Sequence, residues 1–169
     1  DNQTMLIQTK AGQNEISITA HGEVETIDRL GIMDEKNELI PQGYFSKITP
    51  RTHAGRGIRS IAKKIDGTVN LLAGLHSLSN MILEAVPYCL AKTTAKTTAE
   101  EAFNAGVGVC QDHAQIFIAA ARQLGIPARY VSGYLLRNDI VSQEASHAWA
   151  EAYVDGLGWV GFDVSNGVS

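Results

Sequence analysis

Several absences bound this sequence before any motif is read. Two cysteines, Cys89 and Cys110, occur in 169 residues. That is too few for a disulfide framework and fits a reducing compartment, so a cytoplasmic location is expected. Counting alone leaves a Cys89–Cys110 disulfide open, and such a bond would remove both free thiols. No apolar run approaches the ~20 residues that cross a bilayer, and no membrane partner is expected. No basic segment followed by an apolar one stands at the N-terminus. The chain opens on Asp1 rather than methionine, as a fragment or processed product would, so a leader removed earlier would leave no trace. Basic excess is missing too. The formal charge is −4, which gives no electrostatic footprint for nucleic acid, and the densest basic stretch, Arg51 to Lys64, reads as the polar face of a helix.

What is present is the composition of an ordinary globular protein, 44% apolar and 19% charged, able to bury a sizeable core in one domain or a domain with a small appendage. The first fifty residues are strand-like: "NEISITAHGEVETID" alternates Ile16, Ile18 and Ala20 with polar neighbours, then Val24 and Ile27. After Pro50 helical spacing takes over, which sets a boundary between a partial β-rich segment, 1–50, and a catalytic domain, 51–169. Ile58, Ile61, Ala62 and Ile65 form one stripe; Leu71, Leu75, Leu78, Ile82 and Val86 form another, stopped by Pro87. "AKTTAKTTAEEA" reads as a loop entering a helix, with Thr97/Glu100 or Thr98/Glu101 at capping-box spacing. A further helix is predicted over 110–124 from Ala114, Phe117, Ile118, Ala121 and Leu124, ended by Gly125 and Pro127. Three strand-like runs follow, "ARYVSGYLL", "HAWAEAYV" and "WVGFDV", the last two joined by the turn signal "DGLG". Helices followed by an antiparallel sheet make an α+β architecture.

Cys110 stands at the predicted start of the 110–124 helix, behind Gly106 and Gly108. Unpaired N–H groups and the positive end of the helix dipole favour a thiolate there. The same N–H groups can receive an oxyanion, and the two glycines read as room for a substrate carbonyl. The competing reading is an inert, packed thiol, which is also the reading of Cys89. Five histidines are candidate bases. His21 and His53 lie beside turn residues, and His76 flanks an apolar stripe. His113 is one helical turn from Cys110 but has no acid positioned behind it. His147 shares a strand face with Trp149, Glu151 and Tyr153. Asp163 interrupts an apolar strand and needs a partner if buried.

Register decides whether these two meet. A two-residue loop, Asp155-Gly156, would pair Val154 with Leu157 and put positions 147 and 163 on opposite faces. A three-residue loop ending in Gly156, or a bulge of the same effect, sets His147 opposite Asp163; that is the expectation. Tyr134, Trp149 and Trp159 read either as walls of an apolar cleft or as core. Metal is a weaker reading: Cys110, His113, His147 and Asp163 could all ligate, but no recognised zinc spacing occurs. Gly106 and Gly108 lack the Gly-Lys-Ser/Thr of a phosphate loop. No metal and no cofactor are expected.

The stretch from "TTAEEAFNAGVGVCQDHAQIFIAAARQLGIPARYVSGYLL" to "ASHAWAEAYVDGLGWVGFDVSNG" strongly resembles the transglutaminase-like superfamily, nearest its bacterial cysteine-protease branch. Three blocks in the expected order cover roughly residues 70 to 167. Residues 1 to about 65 more weakly resemble the end of the β-rich region preceding this core in such proteins; relatives usually continue past the Asp block. The resemblance implies a papain-like core in which a nucleophile helix packs on an antiparallel sheet, with Cys110 as nucleophile, His147 as base and Asp163 as orienting acid. It implies acyl transfer through a thioester on a peptide or protein substrate, ending in hydrolysis. Transfer to an amine acceptor is the alternative outcome, and a non-catalytic binding module the alternative class. Two departures from the family pattern stand out. "FDVSNG" has Val164 and Ser165 where Pro and Thr are common, and the Cys block has His113 and Gln115 where an aromatic and a His are frequent.

Overall fold

The computed structural model describes residues 6–8, 12, 15–19, 21–33, 39–65, 70–135 and 146–168. Among these residues four α-helices, one 3-10 turn (Gln42–Tyr44) and a four-stranded antiparallel sheet make up an α+β fold: β1 (Ile32–Met33), α1 (Arg56–Ala62), α2 (Leu71–Ala85), α3 (Ala99–Ala105), α4 (Cys110–Gln123), β2 (Ala128–Gly133), β3 (His147–Val154) and β4 (Gly158–Phe162). The sheet order is β1-β4-β3-β2.

The helical stripes do what their spacing predicts. Ile58, Ile61 and Ala62 of α1, Leu75, Leu78 and Ile82 of α2, and Ala114, Phe117, Ile118 and Ala121 of α4 are all buried in one core. Burying a side chain such as Phe117 or Ile118 stabilises the fold by about 1.5–3 kcal/mol, which is far more than the intrinsic helix preference of any one residue. α4 is the central helix. Its apolar face packs on the side of the sheet that carries Ala150, Ala152, Val160 and Phe162. Between the two capping options, Thr98 with Glu101 forms the box at the start of α3. Glu100 instead accepts the N–H groups of Gly55, Gly57 and Ile58, which ties the start of α1 to α3. Gly125, at φ +78°, follows the end of α4 as expected. Arg122, in its last turn, donates to the carbonyls of Ala128 and Lys47, anchoring the first residue of β2.

The N-terminal strand expected from the Ile16–Ile27 alternation does not form. Described residues 15–19 and 21–28 carry no strand, and Ile16, Ile18, Val24 and Ile27 are exposed. Ala20 lies outside the described residues, as does Leu136 of the "ARYVSGYLL" run. Alternation favours a strand only where a ladder partner and an apolar surface are available, and here this segment meets neither. In this part of the chain β1 supplies the sheet contact instead, pairing Ile32 with Val160 and Met33 with Trp159. Among the described residues no helix is long and apolar enough to cross a membrane.

Candidate active site

The candidate residues lie at the start of α4, at the first residue of β3 and in the turn after β4, and the His113–Ser165 bond ties the first turn of α4 to the last of these. The approach to α4 is fixed by main-chain bonds. The N–H of Cys89 donates to the carbonyl of Gly108 at 2.8 Å, and that of Gly108 to Pro87 at 3.3 Å. The two glycines therefore serve the fold rather than a substrate carbonyl, contrary to expectation. Gly106, at φ +66°, is the left-handed residue that ends α3. Gly108 is buried, and a Cβ there would stand 2.9 Å from Asp112 Cβ and 3.3 Å from Val86 Cγ1.

Val109, extended, hands over to Cys110, the first residue of α4. Asp112 reaches back, its Oδ2 accepting the Val109 N–H at 2.9 Å and the Thr93 hydroxyl at 2.5 Å. The main-chain N–H groups of Asp112 and His113 both give to the Val109 carbonyl. The first-turn donors that remain are those of Cys110 and Gln111, beside the sulfur. Both cysteines are free and half-buried. Cys89 is thus not a core residue; among the described residues its sulfur is placed against the Leu90 carbonyl, at 3.7 Å.

The β3–β4 hairpin meets the register condition with one shift. Val154 pairs with Gly158 and Ala150 with Phe162. The loop is three residues long, as expected, but is Asp155–Leu157, with Gly156 left-handed at φ +81°. His147 and Asp163 consequently share a face as diagonal rather than directly opposed neighbours. The diagonal is short: His147 Nε2 lies 2.7 Å from Asp163 Oδ2, with both side chains largely shielded. A carboxylate only accepts, so Nε2 carries the proton and Nδ1 is left as the basic nitrogen.

Asn166, which sequence reasoning missed, completes this arrangement. Its Nδ2 donates to Asp163 Oδ2 at 2.6 Å, and its main-chain N–H reaches Asp163 Oδ1 at 3.3 Å. Nδ2 also lies 3.4 Å from His147 Nε2; since both nitrogens are donors, the shared carboxylate oxygen is what joins them. The "SNG" turn signal two residues beyond Asp163 could have pointed to this role, because Asn favours turns that return a side chain to nearby backbone.

His113 does not act on Cys110. Its ring is fully buried, with Nε2 donating to the Val86 carbonyl at 2.7 Å and Nδ1 accepting from the Ser165 hydroxyl at 2.8 Å. Burial holds its pKa below the ordinary histidine value, against the opposing pull of the Val86 bond, Asp112 and Asp163. It is a neutral strut joining α4, one turn past Cys110, to the turn that carries Asp163. Among the described residues, the polar neighbours of the His147 ring are Asp163 and Asn166, and the Cys110 sulfur is not hydrogen-bonded to it. Of the aromatics, Trp159 is core. Trp149 and the exposed Tyr134 line, with His147, an apolar cavity of about 240 Å³. Among the described residues no cluster of metal-ligating side chains forms.

Comparison with known proteins gives this geometry a context. The family model of the transglutaminase-like superfamily matches residues 59–164. The chain is similar to an uncharacterized protein of Mycobacterium leprae, 24% identical over 178 residues, covering 94% of this chain and 61% of that protein. It is also similar to one of Mycobacterium tuberculosis, 34% identical over 106 residues, covering 57% of this chain and 34% of that protein. It thus spans less than two thirds of either relative. Among solved structures it is similar to a "putative cysteine protease" from Cytophaga hutchinsonii, with a TM-score of 0.64 and 28% identity over 82% of this chain and 47% of that one. It also shares the fold of the periplasmic domain of TgpA from Pseudomonas aeruginosa, with a TM-score of 0.58 and 24% identity over 76% and 49% of the two chains.

Proposed function

The chain belongs to the transglutaminase-like superfamily, and from that premise we propose that it carries out cysteine-dependent acyl transfer on peptide or amide bonds, ending in hydrolysis. The observation that carries the reading is the His147–Asp163 contact at 2.7 Å. It lies at the end of a sheet that the His113–Ser165 bond ties to the helix turn begun by Cys110. In this mechanism Asp163 holds the Nε2–H tautomer and Nδ1 of His147 takes the proton from the Cys110 thiol. The thiolate attacks the amide carbonyl carbon, and the N–H groups of Cys110 and Gln111 receive the oxyanion. His147 then returns the proton to the leaving nitrogen as the C–N bond breaks, leaving a thioester. Water, activated by the same ring, cleaves the thioester to the acid and restores the thiol. Hydrolysis is preferred to transamidation because the structural relative with 28% identity is described as a "putative cysteine protease".

The test has two stages. Iodoacetamide near neutral pH is expected to label Cys110 ahead of Cys89, and His147→Ala to abolish that advantage. Equal labelling of both thiols, unchanged in the variant, would count for a binding module. A library of peptides and isopeptides, assayed with and without an amine and controlled by Cys110→Ala, then distinguishes hydrolysis from amine incorporation.

A further inference from the structure

Alongside α4, on the Tyr130 side of its first turns, two cavities of about 510 and 340 Å³ share Arg51, Gln115 and Tyr130 in their walls. The smaller is lined by Gln111 and Asp112, the two residues that follow Cys110 in α4. Its walls are built rather than incidental. The Arg51 carbonyl accepts the N–H of Ala99 at the start of α3, while its guanidinium Nη1 donates to the Ala95 carbonyl. Gln111 Nε2 donates to the Thr94 carbonyl at 2.9 Å. The 94–98 loop is thereby fastened to both sides of the cleft.

The charge of this cleft runs against that of the chain. The protein is net negative, yet three cationic side chains, Arg51, Lys96 and Arg122, line the paired cavities, against the single carboxylate of Asp112. That carboxylate is buried and already engaged with Val109 and Thr93. The hydrogen bond that anchors Arg51 goes to a neutral carbonyl, and among the described residues no carboxylate is paired with the fork. Tyr130 stands in the walls of both cavities. Burial first, then Cys110 and Asp112, raise its phenol above the ordinary value while Arg51 pulls it down, so it faces the cleft as a neutral O–H donor.

We propose that this cleft is an acid-binding subsite: substrates of the Cys110 site carry a carboxylate close to the scissile bond, held by the Arg51 guanidinium with Tyr130 and Gln115. A planar fork matches a carboxylate in two hydrogen bonds, which an amide of the same shape cannot reproduce. The carboxylate could come from an acidic side chain or from a chain end. The proposal rests on Cys110 being the nucleophile, and its test separates the two ideas.

The probes are pairs of alkylating reagents that differ only in charge: N-iodoacetyl-glutamic acid α-amide against its glutamine counterpart, and N-iodoacetyl-glycine against its amide. Rates of Cys110 modification in the full chain are normalised to those with free N-acetylcysteine. The acidic member of at least one pair is expected to react about tenfold faster, the scale of one charge-assisted hydrogen bond. The advantage should shrink with added salt and fall toward unity in Arg51→Gln, with Arg51→Lys retaining part of it. A preference in the first pair identifies an acidic side chain as the occupant, and one in the second a chain end. Selective, His147-dependent labelling of Cys110 with no charge preference in either pair would overturn the subsite and leave the proposed reaction standing. A Cys110 no more reactive than Cys89 would overturn the reaction. The subsite would then stand or fall on whether Cys110→Ser binds N-acetyl-glutamic acid α-amide more tightly than the glutamine analogue, followed by NMR titration.

Discussion

Asp112 gives the sharpest test of how the nucleophile is held. Its buried carboxylate accepts the Val109 N–H and the Thr93 hydroxyl, and it fills the space that Gly108 leaves open. Asp112→Ala removes the acceptor from both donors at once. An unsatisfied buried donor costs ~1–3 kcal/mol, and loss of a helix N-terminal cap about 1 kcal/mol. The combined loss should be about 2–4 kcal/mol, which for a chain of this length lowers the thermal midpoint by roughly 4–16 °C. Asp112→Asn keeps an acceptor oxygen and should lose only about 1 kcal/mol. Thr93→Ala alone should cost ~1–2 kcal/mol, but little when added to Asp112→Ala, because its partner is already gone. Urea titrations followed by circular dichroism on the four chains close this cycle. Additivity of the two alanine substitutions to within ~0.5 kcal/mol would refute the coupling, and a loss below 1 kcal/mol for Asp112→Ala would refute its role as the cap.

Two further outcomes follow from the same geometry. The folded pKa of His113 lies below its unfolded value, so between the two the unfolded chain binds more protons. Stability is then complete above about pH 6.5 and falls as the pH drops toward the folded value, by at most ~1.4 kcal/mol per pH unit from this group. Urea midpoints measured at pH 7.5 and 5.5 should therefore lie closer together in His113→Phe than in the parent, and equal pH slopes would sink the assignment. Asn166→Ala removes the side-chain hydrogen bond to Asp163 Oδ2 and keeps the main-chain one to Oδ1. It should slow Cys110 alkylation about tenfold near neutral pH and shift the pH profile, with the thermal midpoint nearly unmoved; a lower midpoint with an unchanged profile would make Asn166 merely structural.

The sequence already carried the core helices, the Thr98 cap, the end of α4 and the hairpin, because each is written in local spacing. The His147–Asp163 contact was legible for the same reason: side chains alternate, and any loop of the right parity puts both on one face. The loop lay one residue further on than expected, which changed direct opposition to a diagonal without changing the face. What was not legible depends on distant partners. Thr93 for Asp112, and Val86 and Ser165 for His113, come from segments with no periodic link to α4. Gly108 looked like space for a substrate because nothing local shows that Asp112 occupies it. The Ile16–Ile27 run misled in the opposite way, since its alternation is real but no ladder partner meets it among the described residues.

The bond between His113 and Ser165 has a consequence for reading relatives. Each stands where the family more often has another residue, an aromatic at the first position and threonine at the second. Compared column by column, these are two unrelated mismatches. Physically they are the two ends of one hydrogen bond, and the dependence runs in one direction. A buried histidine at 113 needs a hydroxyl facing it, which serine or threonine can supply, whereas an aromatic ring there makes no such demand. Across the family, histidine at this position should therefore co-occur with a hydroxyl two residues after the acid, while chains with an aromatic are free to vary there.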